Sequence, residues 1–186
     1  MTKTFVLEYR RPSVKVQAMA AAVAVVAAVV LPQIIHVAGG AFGVGSGLGE
    51  MLLPMHLPVL LVGFLAGPWA GGAAGLLAPL VSFGLTGMPS QAMVPFIMIE
   101  LCVYGLTAGF LSGKTMPVPG KVIAAQCAGR LVRAGAILLA VLVLGISAVP
   151  VSVIWTSISV GIYGLVFQWI LIPVILSWVE KQNAGD

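Results

Sequence analysis

Apolar residues run along this chain in six blocks, each closed by glycine, proline or a short polar stretch. A helix needs about 20 mostly apolar residues to cross roughly 30 Å of hydrocarbon, and each block is close to that length. The first runs from about Val14 to Leu31 and is expected to stop at Pro32, because proline lacks the N–H and clashes with the turn before it. A Gly-rich connection, Gly39 to Gly49, leads to the second, about Met51 to Ala66, which Gly67-Pro68 breaks. The third runs from about Trp69 to Leu85 and ends at Thr86-Gly87-Met88-Pro89. The fourth covers about Ala92 to Leu111, and a polar loop, Ser112 to Gly120, separates it from the fifth, about Lys121 to Ile146. The sixth, about Val151 to Val179, exceeds one crossing, so it is expected to tilt, kink at Pro173 or leave the lipid. The pattern predicts an all-α integral membrane protein: one domain of six transmembrane helices over residues 1–186.

Composition strengthens this. Sixty per cent of the chain is apolar and 8% charged, with a mean hydropathy of +1.14. A soluble domain carries about 25% charged residues, so most of this surface faces membrane lipid. The segment from Lys3 to Lys15 followed by an apolar run imitates a secretory signal. That run is too long for a signal core, and only further spans follow it, so it reads as the first span.

Charge placement sets the orientation. With the N-terminus inside, Lys3, Arg10, Arg11, Lys15, Lys114, Lys121 and Lys181 all fall on the cytoplasmic side, and the three outer connections carry no Lys or Arg. Both termini are therefore expected in the cytoplasm. The pI near 9.4 reflects this bias and implies no nucleic-acid partner, since the basic residues form no face interleaved with aromatics. Cys102 and Cys127 lie in apolar segments and read as small hydrophobes, with no disulfide, metal or cofactor implied.

Charges inside spans are costly and each asks for a reason. Gln126, Arg130 and Arg133 share one face of the fifth span. At 1.5 Å per residue Arg130 stands roughly 13 Å above Lys121, and Glu100 of the fourth span about 12 Å below Ala92, so the two reach similar depth. Phe96, Tyr104 and Thr107 share the face of Glu100. One reading is a Glu100–Arg130 pair that only holds two helices in register. The other starts from the unmatched second arginine: two guanidinium groups against one carboxylate leave a positive cavity suited to a carboxylate or phosphate. Ser152, Thr156, Ser159 and Tyr163 form a polar stripe on the sixth span. It serves either bonding to the helix's own carbonyls and packing or the wall of a polar cavity.

Ala18, Ala20, Ala22, Ala24 and Ala28 give the first span small-xxx-small pairs on several faces. Such pairs let helices approach closely in lipid, either within the molecule or against another membrane subunit. His36, His56 and Glu50 have no recognised metal spacing, and no phosphate loop exists, so the chain cannot itself hydrolyse ATP. His56, between Pro54 and Pro58, is placed to donate to a ligand from the top of the second span. The repeated Gly63-Phe64-Leu65-Ala66-Gly67 and Gly109-Phe110-Leu111-Ser112-Gly113 are read as an effect of composition. A small intramembrane enzyme using Glu50, His56 and Glu100, and a channel with internally paired charges, remain alternatives from other classes.

The run Leu53-Pro54-Met55-His56-Leu57-Pro58-Val59-Leu60-Leu61, then Gly63-Phe64, Gly67-Pro68, Gly75, Pro79-Leu80, Thr86-Gly87-Met88-Pro89, Glu100-Leu101, Tyr104-Gly105-Leu106 and Ala128-Gly129-Arg130, resembles the substrate-binding S-components of energy-coupling factor vitamin transporters. The similarity covers the second to fifth spans through these motifs and the rest through length and topology. It implies a subunit of a prokaryotic cell membrane that binds a vitamin near its outer face. The subunit then docks on a transmembrane coupling subunit carrying two ATPase subunits and topples to deliver the vitamin inside. From the costly intramembrane charges, their helical faces and the polar stripe, His56, Glu100, Tyr104, Gln126, Arg130, Arg133, Thr156 and Ser159 are the expected ligand-binding residues. On the resemblance, Gly45, Gly47, Met88 and Pro89 belong to the gating loops, and the alanines of the first span to the docking surface. The motifs are most similar to the pantothenate branch, then the cobalamin branch, and a carboxylate suits the two-arginine, one-glutamate balance.

Overall fold

The computed structural model describes residues 12–43, 47–146 and 148–183. Every regular element among them is helical: α1 (Val14–Ala41), α2 (Gly47–Leu52), α3 (His56–Ala66), α4 (Pro68–Thr86), α5 (Val94–Leu111), α6 (Val118–Leu138, continued by a π turn over Leu139–Val143) and α7 (Val153–Asn183). Among the described residues six segments are long and apolar enough to cross a membrane, α2 and α3 together making the second. The chain is a multi-pass helical membrane protein, and an even number of crossings returns the end of α7 to the side where α1 begins. That end carries Lys15, Lys114 and Lys181; it is called the lysine-bearing end below.

Helix starts follow local chemistry. Pro68 opens α4, while Pro95 and Pro119 occupy the first turns of α5 and α6, where a missing N–H leaves no bond unmade. Gly87 ends α4 in the left-handed region (φ 72°), its N–H returning to the Phe83 carbonyl. Between α5 and α6 the buried Lys121 ammonium donates to the Ser112 carbonyl at 2.7 Å, closing that hairpin from within. The lysine expected at the cytoplasmic start of the fifth span thus ties that helix end to the preceding one.

Two expected boundaries are corrected. α1 does not stop at Pro32; it passes through this buried proline and continues to Ala41. In a membrane helix, neighbouring helices and local adjustments accommodate the lost hydrogen bond. The second span is not continuous from Met51. It breaks at Leu53, whose φ of 50° is the one positive value outside glycine among the described residues. A following proline disfavours ordinary helical geometry at Leu53, and the left-handed turn costs about 1–2 kcal/mol.

Without a hydrophobic drive between helices in lipid, close packing and hydrogen bonds must join them. α4 and α5 meet backbone to backbone: a Cβ on Gly71 would lie 2.5 Å from the Gly105 carbonyl oxygen, and one on Gly105 would collide with Gly71. Gly75 faces Leu101, Gly109 faces Pro68, and Gly63 of α3 faces Gly105 in the same way. The main core lies along this seam, with Leu60, Phe64, Ala74, Leu101, Tyr104 and Ala108 all buried. Outside it, Val23, Val26, Leu131, Leu142, Ile170 and many other large apolar side chains are exposed, as a lipid-facing surface requires. Exposed Trp69 and Trp178 lie near the lysine-bearing end and Trp155 near the other, the positions amphipathic indoles favour.

Candidate functional site

At the end opposite the lysines a cavity of about 540 Å³ opens among α1, the α2–α3 break, the α4–α5 connection, α6 and α7. The Leu53 break shapes one wall, because it places His56 at the start of α3. Gln168 of α7 holds that turn by donating its side-chain amide to the Leu53 carbonyl at 3.2 Å. The Gln168 amide oxygen accepts from Gln126 at 3.0 Å, and Gln126 in turn accepts from the Trp169 indole at 2.6 Å. Gly164 lets α7 approach Leu52: a Cβ there would sit 2.6 Å from that residue's backbone.

At the cavity floor Glu100 is wholly buried. Its Oε2 accepts from Arg133 Nη1 at 2.8 Å, and its Oε1 accepts from the Tyr104 hydroxyl at 3.3 Å. Arg130 Nε and His56 Nε2 each stand 3.9 Å from Oε1. The His56 ring meets the Tyr104 ring edge-on at 5.3 Å. Arg130 also donates from Nη1 to the Ser157 carbonyl of α7 at 3.3 Å. The charge balance is two guanidinium groups to one carboxylate. Five buried nitrogens nevertheless lack a partner: both of His56, Nε and Nη2 of Arg130, and Nε of Arg133. Buried polar groups are ordinarily satisfied. Here the surplus consists mainly of N–H donors around a positive centre, which a bound anion would satisfy.

The expected pairing of Glu100 with Arg130 is present at 3.9 Å, but Arg133 makes the shorter contact at 2.8 Å, and Arg130 stands behind it. Spacing placed both arginines on one face without deciding which side chain reaches the carboxylate. Of the eight expected ligand-binding residues, His56, Glu100, Arg133 and Thr156 line the cavity. Tyr104 backs Glu100, and Gln126 belongs to the Gln168 network. Arg130 and Gln126 line a second cavity of about 640 Å³ between α6 and α7, flanked by exposed Leu131 and Trp155. The two cavities share Arg133 and Ser157. Ser159 is exposed, lines neither cavity, and donates to the carbonyls of Trp155 and Thr156 in its own helix.

Met88 and Pro89 line the cavity, Gly47 does not, and Gly45 lies outside the described residues. Among the alanines, Ala24 and Ala28 are buried and Ala20 packs against the core, so these serve internal packing. Ala18 and Ala22 are exposed. Sequence reasoning missed Gln33 and Ser82 of the lining altogether, and weighed His36 only as a metal ligand and Glu50 only as a metal ligand or acid–base group. Gln33 and His36 escaped because they follow Pro32, in what reads as a loop. Among the described residues no three His, Cys, Asp or Glu side chains come together as metal ligands would.

A family model described as ECF transporter, substrate-specific component, matches residues 13–176. No curated protein and no solved structure gives a match.

Proposed function

The chain belongs to the family of ECF transporter substrate-specific components, and from that premise we propose that it captures a small anionic vitamin, pantothenate first, in the cavity floored by Glu100, Arg133 and His56. The carrying observation is the donor surplus there: Arg133 Nε and both His56 nitrogens are buried without a partner on the cavity lining, and Arg130 behind them adds a second guanidinium against the one carboxylate. A ligand carboxylate neutralises the excess charge and accepts from Arg133 Nε and His56. Arg130 contributes from behind, through the field it adds at Glu100. The volume of about 540 Å³ lies within the range of small-molecule sites, roughly 300–1,000 Å³. A corrinoid, several times the bulk of pantothenate, would need the walls to move apart.

Delivery follows the family mechanism. The loaded subunit docks on the transmembrane coupling subunit, whose two ATPases drive its toppling in the prokaryotic plasma membrane, with the lysine-bearing end in the cytoplasm. The exposed face of α1 around Ala18 and Ala22 is the docking surface, and the Met88-Pro89 connection with the α1–α2 connection gates the cavity.

Thermal unfolding of the purified subunit against a vitamin panel, without ATP, tests the capture step. A ligand that binds only the folded state at 100 times its Kd adds about 2.7 kcal/mol. Pantothenate is expected to raise Tm in the wild type and to have no effect on a folded Arg133→Met variant. No response to any vitamin would overturn the proposal.

A further inference from the structure

The cavity has a second polar end. Counted from the lysine-bearing ends of their helices at 1.5 Å per residue, Glu100 and His56 stand about 15–16 Å up and Arg133 about 22 Å. Gln33 and His36 of α1 stand about 28 and 33 Å up by the same count. By this count Arg133, the nearest part of the floor, lies roughly 6–10 Å below the mouth residues along the bundle. Methionine, isoleucine and proline side chains, Met55, Met93, Ile97 and Pro54 among them, line the same cavity.

At the mouth, Gln33 Nε2 and His36 Nδ1 are buried with no partner, although both residues line the cavity. The His36 ring packs against Gly49, where a Cβ would come within 2.9 Å of Nε2, and both residues line the cavity. The exposed carboxylate of Glu50 completes the mouth and makes no ion pair among the described residues. The mouth therefore offers an amide donor, an imidazole nitrogen and a carboxylate acceptor. A hydroxyl group, which donates and accepts at once, matches this set. A second carboxylate would face Glu50 and be repelled.

Resting on the reading of this cavity as the substrate site, the geometry points to a two-ended ligand: a monocarboxylate whose far end, roughly 6–10 Å away, carries hydroxyl groups read by Gln33, His36 and Glu50. These mouth residues determine specificity, while the arginine floor supplies the charge match. Length and polarity follow from opposite ends of one cavity. The floor alone would accept any small carboxylate, and the mouth restricts the set to hydroxylated, singly charged ones. Extended pantothenate is roughly 10 Å long, about three residues of backbone, and is a suitable probe.

Calorimetric titration of the purified full chain compares pantothenate with its analogue lacking both hydroxyl groups. The wild type is expected to bind the analogue roughly 10–100-fold more weakly, as when buried donors lose their acceptor. Gln33→Leu and His36→Ala should weaken pantothenate by a similar factor yet barely distinguish it from the analogue. Arg133→Met should lose both ligands. Equal wild-type affinity for the two ligands, with Arg133→Met losing both, overturns the mouth subsite and leaves the proposed function standing. The ligand comparison on the wild type decides between these outcomes even if a variant fails to fold. A wild type that binds cobalamin and no carboxylate, or no vitamin at all, overturns the anion reading and this inference with it.

Discussion

Replacing Glu100 by glutamine removes one negative charge and almost no volume. The carboxylate is wholly buried, 2.8 Å from Arg133 and 3.9 Å from both Arg130 and His56. In the variant, two guanidinium groups share a buried site with no countercharge. Breaking a buried pair from one side costs about 3–5 kcal/mol, whereas loss of a neutral hydrogen bond costs about 1 kcal/mol. At roughly 2–4 °C per kcal/mol for a chain of this size, the unliganded Tm should fall by about 6–20 °C. An anion in the cavity then supplies the missing charge, so pantothenate should stabilise Glu100→Gln by more than it stabilises the wild type. Arg133→Met behaves oppositely. Glu100 keeps Arg130, the charges balance, and the variant should lose less stability and not respond to pantothenate. The assay is thermal unfolding in detergent, with and without ligand. An unliganded Glu100→Gln protein melting within about 2 °C of wild type would refute the charge argument. A variant that melts low but gains less from pantothenate than wild type would refute the placing of the anion beside it.

Three further outcomes are expected. Gly105→Val forces a side chain into the Gly71 backbone and should cost at least the 1–3 kcal/mol typical of overpacking, seen as loss of the monodisperse peak in size-exclusion chromatography. Gln168→Leu strands the Leu53 carbonyl and Gln126. It should cost about 1–3 kcal/mol, speed hydrogen exchange at residues 53–56 and weaken pantothenate binding without touching the ligand. Ala24→Trp, at a buried site, should prevent folding. Ala18→Trp, at an exposed one, should fold and bind but fail in cellular uptake, the result that separates docking from packing.

The six crossings were legible because lipid makes one demand over some 20 consecutive residues, and no local detail can cancel it. Helix ends are set by few groups and were less so. Pro32 reads as a stop by rules drawn from water, yet it is buried inside α1, where neighbouring helices meet its needs. That single misreading moved Gln33 and His36 from a cavity wall into a loop. Glu100, Arg130 and Arg133 stood out as costly charges. Helical spacing fixes their face within about a third of a turn, and the reach of an arginine exceeds that uncertainty. The alanines of α1 satisfied the small-residue pattern on several faces at once, so the pattern could not separate the face turned to α3 and α4 from the one turned outward. The seam glycines were hidden differently. Gly71/Gly75 and Gly105/Gly109 have the four-residue spacing of close helix contacts, but 23 glycines in one chain make such spacings commonplace.

That seam also limits how this scaffold can change. Where Gly71 meets Gly105 even a methyl group has no room, so α4 and α5 form a fixed spine on which ligand preference cannot easily be rewritten. The cavity walls supplied by α1, the Leu53 turn and α7 have side chains free to vary in size and polarity. A subunit built this way can exchange one small ligand for another by altering its rim while its backbone stays put. Engineering toward new cargo should therefore begin at Gln33, His36, Met55 and Thr156, and leave the spine alone.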